Sequence, residues 1–167
     1  NVTSSKGEKI KIKEIVRQSD KPPAHALYAL LASNKKGQKV YLKIRQEDLD
    51  LYAQAERRLR SENLPLPSIK VRPGHNTNQA REYNYHYWKD FFNSRQLLCL
   101  GILLREIKRI KSPIVREQLL CLFSGTLEFN NMFCSFKGEG TGAVRHMFSH
   151  HILKPERVPL ENSIWGT

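Results

Sequence analysis

The sequence has few cysteines, no long apolar run and a shortage of acidic residues, and each shortage excludes a class of protein. The three cysteines, Cys99, Cys121 and Cys134, are odd in number and form no C-x-x-C pair. This argues against a disulfide framework and against a zinc ribbon. All three lie in apolar stretches, so we expect buried free thiols in a reducing compartment.

The apolar stretches are too short for a membrane protein. None approaches the roughly 18–20 uninterrupted apolar residues of a membrane span, and the segment from Asn1 to Ile10 lacks the apolar core of a signal peptide. We therefore expect a cytoplasmic protein with no membrane partner. The chain has no initiator Met and ends two positions after Trp165, so we expect the natural chain to continue beyond both ends.

The shortage of acidic residues gives the chain a strong positive charge. There are 16 Asp and Glu against 28 Lys and Arg, a formal net charge of +12 and a pI near 9.8. Such an excess favours a polyanionic partner, either nucleic acid or an anionic membrane surface. The alternative is a folded domain whose basic charge has no functional role. A folded domain is expected in either case, because 167 residues with 40% hydrophobic content suffice for a core.

The first third of the chain has the patterns of short strands and one helix. Alternation predicts strands at Lys9–Lys13 and Lys39–Ile44, and the apolar run His25–Ala32 predicts another. A turn at 35–38 would join the last two as a hairpin, with the first strand beside it. The lysines of that first strand would either touch phosphate or protect the edge of the sheet from pairing with other chains. A helix is predicted over Glu47–Arg60, with arginines in its last turn.

The second half has the patterns of two long helices. Asn93 followed by Gln96 predicts an N-cap, and the apolar residues that follow predict a central helix reaching Ile110. Ser112 and Pro113 predict the start of a second helix, extending towards 136 and packed antiparallel on the first. The fold class is therefore α+β: a small antiparallel sheet with one helix (1–64), a long polar loop (65–87) and a helical segment (88–167).

The polar loop is the main candidate for function. Amide side chains can hydrogen-bond adenine edges, arginines can contact guanine or phosphate, and aromatic rings can stack on exposed bases. The candidate DNA-binding residues are Arg72, His75, Asn76, Asn78, Gln79, Arg81 and Tyr83, with Arg145 a further phosphate candidate. The alternative is a loop that docks on its own domain through bonds between side chains and backbone.

Two other motifs are weaker candidates. Glycines at 138, 140 and 142 could cradle a phosphate, but no strand precedes them, so we favour a hinge or a close backbone approach. A short helix at 144–151 would place His146 and His150 on one face, as in zinc enzymes, but Met147 stands where a metalloprotease requires Glu. We therefore predict packing or polar contacts for these histidines and no metal site.

Four segments closely resemble a family of large bacterial and archaeal adenine-specific DNA methylases that contain a domain of unknown function near the N-terminus. They are RPGHNTNQA (72–80), FNSRQLL (92–98), NNMF (130–133) and GEGTGAVRHMFSHH (138–151). The likeness covers roughly residues 26–167. It implies a Rossmann-like methyltransferase that transfers a methyl group from S-adenosylmethionine to adenine N6, as a modification or phage-defence enzyme.

The resemblance places this chain between the family's two functional motifs. This chain lacks the family's cofactor segment, Asp-Pro-Phe-x-Gly-Gly-Gly, and its catalytic motif, Asp-Pro-Pro-Tyr. The nearest string is Asp20-Lys21-Pro22-Pro23, which lacks the aromatic residue that stacks on a flipped adenine. The zinc-binding cysteines frequent in the family are absent too. We therefore expect an internal fragment that is inactive alone, binds no cofactor itself, and contacts duplex DNA and the rest of the methyltransferase. Alternatives are a stand-alone nucleic-acid-binding module and a purely structural docking segment.

Overall fold

The structure of the protein is a computed structural model. It shows an α+β fold with small antiparallel sheets. It describes residues 2–3, 5–136, 144–149 and 151–164. The elements are β1 Val2–Thr3, β2 Lys9–Ile10, α1 Ile12–Arg17, β3 Ala29–Ser33, β4 Lys39–Lys43, α2 Gln46–Ser61, α3 Asn78–Arg81, a 3-10 helix Trp88–Phe91, α4 Ser94–Lys108, α5 Pro113–Phe129, β5 Ser135–Phe136 and β6 Val144–Arg145.

The predicted hairpin is confirmed, but its first strand begins at Ala29 and not at His25. β3 and β4 pair antiparallel in a register that places Leu31 opposite Tyr41. Gly37 adopts a φ of +76° in the turn, and the Asn34 side chain accepts hydrogen bonds of 2.9 Å from the backbone N–H groups of Lys36 and Gln38. The turn residues therefore fix the register locally.

The predicted first strand was wrong in extent and in position. β2 ends at Ile10, and β1 and β2 pair with each other in a separate two-stranded sheet, not beside the hairpin. Helix α1 begins at Ile12 because Ile12, Ile15 and Val16 have helical spacing, and Val16 is buried. The Asn84 amide donates hydrogen bonds to the carbonyls of Val16 and Lys21, at 2.7 and 3.1 Å, so the end of α1 is held by a distant residue.

The capping predictions for the long helices are confirmed. The Asn93 side chain accepts from the Gln96 N–H at 2.8 Å, and the Gln96 side chain accepts from the Asn93 N–H at 3.0 Å. Ser112 caps α5 ahead of Pro113. The second helix is shorter than predicted, since it ends at Phe129 and residues 135–136 form β5.

Helix α4 is the central helix, as predicted, because it packs against both α2 and α5. Arg105 of α4 and Arg58 of α2 both bind the Glu62 carboxylate at 2.6 Å. At its other end, Arg95 makes two hydrogen bonds, of 2.6 and 2.9 Å, to Glu161. These ion pairs fasten α4 to α2 and to the C-terminal segment.

The principal core lies beside the long helices and includes residues of the polar loop. Its buried members are Val71, Ala80, Tyr85, Phe91, Phe133, Met147 and Leu153. The rings of Tyr85, Phe91 and Phe133 pack mutually, with centroids 4.6–5.4 Å apart. Burial raises the pKa of Tyr85 to about 12. We call these seven residues the aromatic core, and it anchors the loop.

The expectation of buried thiols holds for one cysteine only. Cys134 is buried, and that burial raises the pKa of its thiol. Cys99 is half-buried and Cys121 is exposed on α5. The structure describes every residue of α5, and none of the α5 side chains is buried, the Cys121 side chain included. Among the described residues, no helix is long and apolar enough to cross a bilayer.

Candidate nucleic-acid interface

The two ends of the polar loop are joined by backbone hydrogen bonds. The Val71 N–H donates to the His86 carbonyl at 2.8 Å, and the Trp88 N–H donates to the Ile69 carbonyl at 3.1 Å. Lys70 and Tyr87 form a β-bridge between them. The loop therefore leaves the body of the protein and returns to it at one place, which sequence periodicity did not indicate.

The interior of the loop is also ordered. The Thr77 hydroxyl donates to the Arg72 carbonyl at 2.6 Å, and the Gly74 N–H donates to the Asn78 side-chain oxygen at 3.0 Å. The short helix α3 follows, and Ala80 within it is fully buried in the aromatic core. The predicted structureless loop is thus a compact turn and helix whose backbone is fixed by local bonds and by one buried anchor.

Three predicted DNA-binding residues are exposed on this fixed backbone. Arg72, His75 and Asn76 are all solvent-exposed. The Asn76 carbonyl accepts a hydrogen bond of 2.8 Å from the Leu153 N–H, so the C-terminal segment supports the loop and brings the exposed Lys154 beside it. The loop presents a guanidinium, an imidazole and an amide without the entropic cost of ordering a flexible segment.

Three other predicted residues contact the protein itself. The Arg81 guanidinium donates to the Val71 carbonyl at 2.6 Å, and the half-buried Tyr83 packs against the aromatic core. Asn78 is exposed, but its side-chain oxygen accepts the bond from Gly74. These side chains hold the loop in shape, so a substitution at Arg81 or Tyr83 would disturb its conformation as well as any contact with DNA.

The remaining predicted residues are less exposed. Gln79 is half-buried on α3. Arg145 is half-buried on β6, where it pairs with Ser135 of β5, so it lies outside the loop. The exposed predicted residues are therefore Arg72, His75, Asn76 and Asn78, and only Asn78 among them uses its side chain to bind the loop backbone.

Sequence reasoning missed two lysines beside this site. The Nζ atoms of Lys70 and Lys89 lie 5.9 and 5.5 Å from the centroid of the Tyr87 ring. Both lysines are exposed, and Lys70 is two residues from Arg72. A cation above an aromatic face is held in place by the ring quadrupole. The signal that could have indicated this contact is Tyr87 two residues before Lys89 in the sequence.

In the ranges that the structure describes, several arginines of the long helices have acidic partners, and the cations near the loop do not. Arg58, Arg95 and Arg105 are bound to glutamates at 2.6 Å. Within the described part of the chain, no acidic side chain forms an ion pair with Arg72, Lys70 or Lys89. No side-chain ion pair among the described residues therefore neutralises these three cations, and we call Lys70, Arg72, His75, Asn76 and Lys89 the loop surface.

The predicted helix at 144–151 was wrong over 144–149, where the chain forms β6 and a turn. The Nδ1 atom of His146 lies next to the Glu128 carboxylate, and the His146 ring lies 5.3 Å from that of Phe129. His150 and the glycine segment 138–142 lie outside the described residues. No cluster of three or more potential metal ligands occurs among the residues described.

Comparisons with family models, with curated proteins and with solved structures give no match to this chain. The resemblance to adenine-specific DNA methylases therefore stays a prediction that rests on the four segments themselves.

Proposed function

We propose that this chain is the DNA-contacting segment of an adenine-specific DNA methyltransferase that uses S-adenosylmethionine. In this proposal the loop surface binds duplex DNA, and the catalytic and cofactor motifs are supplied by the rest of the enzyme. The observation that carries the proposal is the exposure of Arg72, His75 and Asn76 on a backbone fixed at both ends, beside cations without an acidic partner in the described residues.

The side chains of the loop surface suit two kinds of contact. Arg72, Lys70 and Lys89 can neutralise phosphates, a contact that gives affinity without sequence information. Asn76 can form two hydrogen bonds with the N6 and N7 edge of adenine in the major groove. A target-recognition element needs both, because phosphate contacts position the protein and base contacts select the sequence.

The test is binding of the chain to a duplex DNA pool across a salt series, measured by fluorescence anisotropy. Arg72→Ala should weaken binding and reduce the slope of log K against log salt by about one. Asn76→Ala should leave that slope unchanged but relax the sequence preference found by selection from the pool, by about 1–3 kcal/mol.

Arg60→Ala is the matched control. It removes the same formal charge from an exposed position, but Arg60 already pairs with Glu56 on the same helix at 3.7 Å, so its removal should change the slope little. Failure of the unchanged chain to bind duplex DNA at low salt would overturn the proposal, as would equal effects of Arg72→Ala and Arg60→Ala.

A structural role is a second candidate, favoured by helix α5. Ile114 and Leu122 are 70% and 69% exposed, and an apolar groove of about 680 Å³ lies between α5, α4 and the Pro65–Pro67 segment. Apolar surface of this kind is typical of a contact with another protein surface. In this candidate the rest of the methyltransferase covers it, and Leu122→Glu would prevent association with that part while leaving duplex binding intact.

A further inference from the structure

The β3–β4 hairpin carries a second basic surface, separate from the loop surface. Residues 21–46 contain lysines and an arginine but no aspartate or glutamate. Lys35 and Lys36 lie in the turn, and Lys39 and Lys43 lie at the two ends of β4. Among the residues that the structure describes, no acidic side chain pairs with any of these four lysines. The hairpin is thus a positively charged projection without internal neutralisation.

Alternation along β4 places a tyrosine between two of these lysines. Lys39, Tyr41 and Lys43 are separated by two residues each, so they share one face of the hairpin. All three are exposed, and Tyr41 is 66% exposed. At the rise of a β-strand, the two lysine Cα atoms are about 13 Å apart, which matches about four stacked nucleotides at duplex rise.

Edge protection alone does not explain this face. Lysines along an exposed strand discourage pairing with other chains, but a large exposed ring between them adds apolar surface and works against that purpose. Tyr41 lies opposite Leu31, and this cross-strand pair needs an apolar side chain but not an aromatic one. The ring and its exposure therefore require a different account.

We propose that this face of the hairpin binds single-stranded nucleic acid, with one base stacked on the Tyr41 ring and with phosphates on either side of it, about four nucleotides apart, bound by Lys39 and Lys43. An exposed aromatic ring between cations is the arrangement by which proteins bind unpaired strands with little sequence preference. The turn bonds of Asn34 and the register of the hairpin fix the backbone positions of Lys39, Tyr41 and Lys43 before binding. This proposal involves different residues and a different ligand from the proposed duplex contact, so each proposal can hold without the other.

The experiment uses the full chain with labelled oligothymidylate and oligouridylate of about 15 nucleotides, measured by fluorescence anisotropy. Tyr41→Ala should weaken binding by at least about fivefold, and Tyr41→Phe should retain it. Tyr41→Leu keeps an apolar partner for Leu31 but should lose binding as Tyr41→Ala does. Lys39→Ala should lower the salt slope by about 0.7. The oligothymidylate and oligouridylate arms distinguish a DNA strand from an RNA strand.

Tyr28→Ala is the matched control. Tyr28 is 65% exposed, but the residues two positions away on either side are Ala26 and Leu30 rather than lysines, so its loss should leave binding unchanged. Equal effects of Tyr41→Ala and Tyr28→Ala would overturn the proposal, and so would full binding by Tyr41→Leu. Arg72→Ala assayed on duplex DNA reports separately on the loop surface, so failure of one proposal is distinguishable from failure of the other.

Discussion

Two glycines in the long helices should respond in opposite ways to the same substitution. Gly101 is buried in α4, and a Cβ atom there would lie 3.0 Å from both Cβ and Cδ1 of Leu64 and 3.3 Å from Cδ2 of Leu66. At Gly125 in α5 the same position has no described heavy atom within 4 Å apart from the adjacent residues and the backbone of the helix itself. In an open helix interior, replacing Gly by Ala stabilises by about 1 kcal/mol, because Gly loses more backbone entropy on folding.

Gly125→Ala should therefore raise the free energy of unfolding by about 1 kcal/mol. At Gly101 the same backbone gain is opposed by overpacking of about 1–3 kcal/mol. The Leu64 Cβ atom is bonded to the backbone and cannot rotate away, so the segment from Leu64 to Leu66 must move. We expect Gly101→Ala to lower the free energy of unfolding by about 1 kcal/mol.

Thermal unfolding followed by circular dichroism measures the difference. For a chain of this size the two variants should differ in Tm by roughly 4–8 °C, with Gly125→Ala the more stable. Adding Leu64→Gly to Gly101→Ala removes both 3.0 Å contacts, whereas Leu64→Ala removes only the contact with Cδ1, so the penalty of Gly101→Ala should shrink more in the Leu64→Gly background than in the Leu64→Ala background. Equal stabilisation by both glycine substitutions would refute the close packing of residues 64–66 on α4.

Two further predictions concern Asn84 and Glu62. Asn84 has a φ of +65°, and its amide donates to carbonyls at the end of α1. Asn84→Asp replaces that donor with an acceptor, so hydrogen exchange over residues 12–21 should accelerate and stability should fall by about 1–3 kcal/mol, whereas unchanged exchange would contradict the contact. Hydrogen bonds from Arg58, and next from Arg105, lower the pKa of the Glu62 carboxyl. The ionised Glu62 therefore stabilises the folded state above the unfolded-state pKa, and this stabilisation is lost as pH falls through the folded-state pKa. The Tm difference between the unchanged chain and Glu62→Gln should therefore narrow below about pH 4.5, and a difference independent of pH would refute this linkage.

Local signals predicted the elements whose determinants are close in sequence. The turn at Asn34–Gln38, the cap formed by Asn93 with Gln96 and the Ser112-Pro113 start of α5 each depend on contacts within a few residues. Helix α2 extends only one residue beyond each predicted end. The alternation at Lys9–Lys13 misled because it overlaps the helical spacing of Ile12, Ile15 and Val16.

The sequence predicted which residue types the candidate site contains, but not which of those side chains face solvent. The residue types for DNA contact were visible in the sequence, and Arg72, His75 and Asn76 are exposed as that function requires. Nothing in the sequence separated them from Arg81 and Tyr83, which contact the Val71 carbonyl and the aromatic core. The exposed ring of Tyr41 was likewise read only as part of a strand.

The sequence by itself determined the basic charge, the hairpin register and the starts of the long helices, because these follow from composition and short-range bonds. The tertiary structure was needed to show which polar side chains of the loop face solvent and that α5 buries none of its side chains. Those outcomes depend on contacts between residues far apart in the chain, such as Asn76 with Leu153 and Asn84 with Val16. Such contacts leave no periodic signal in the sequence.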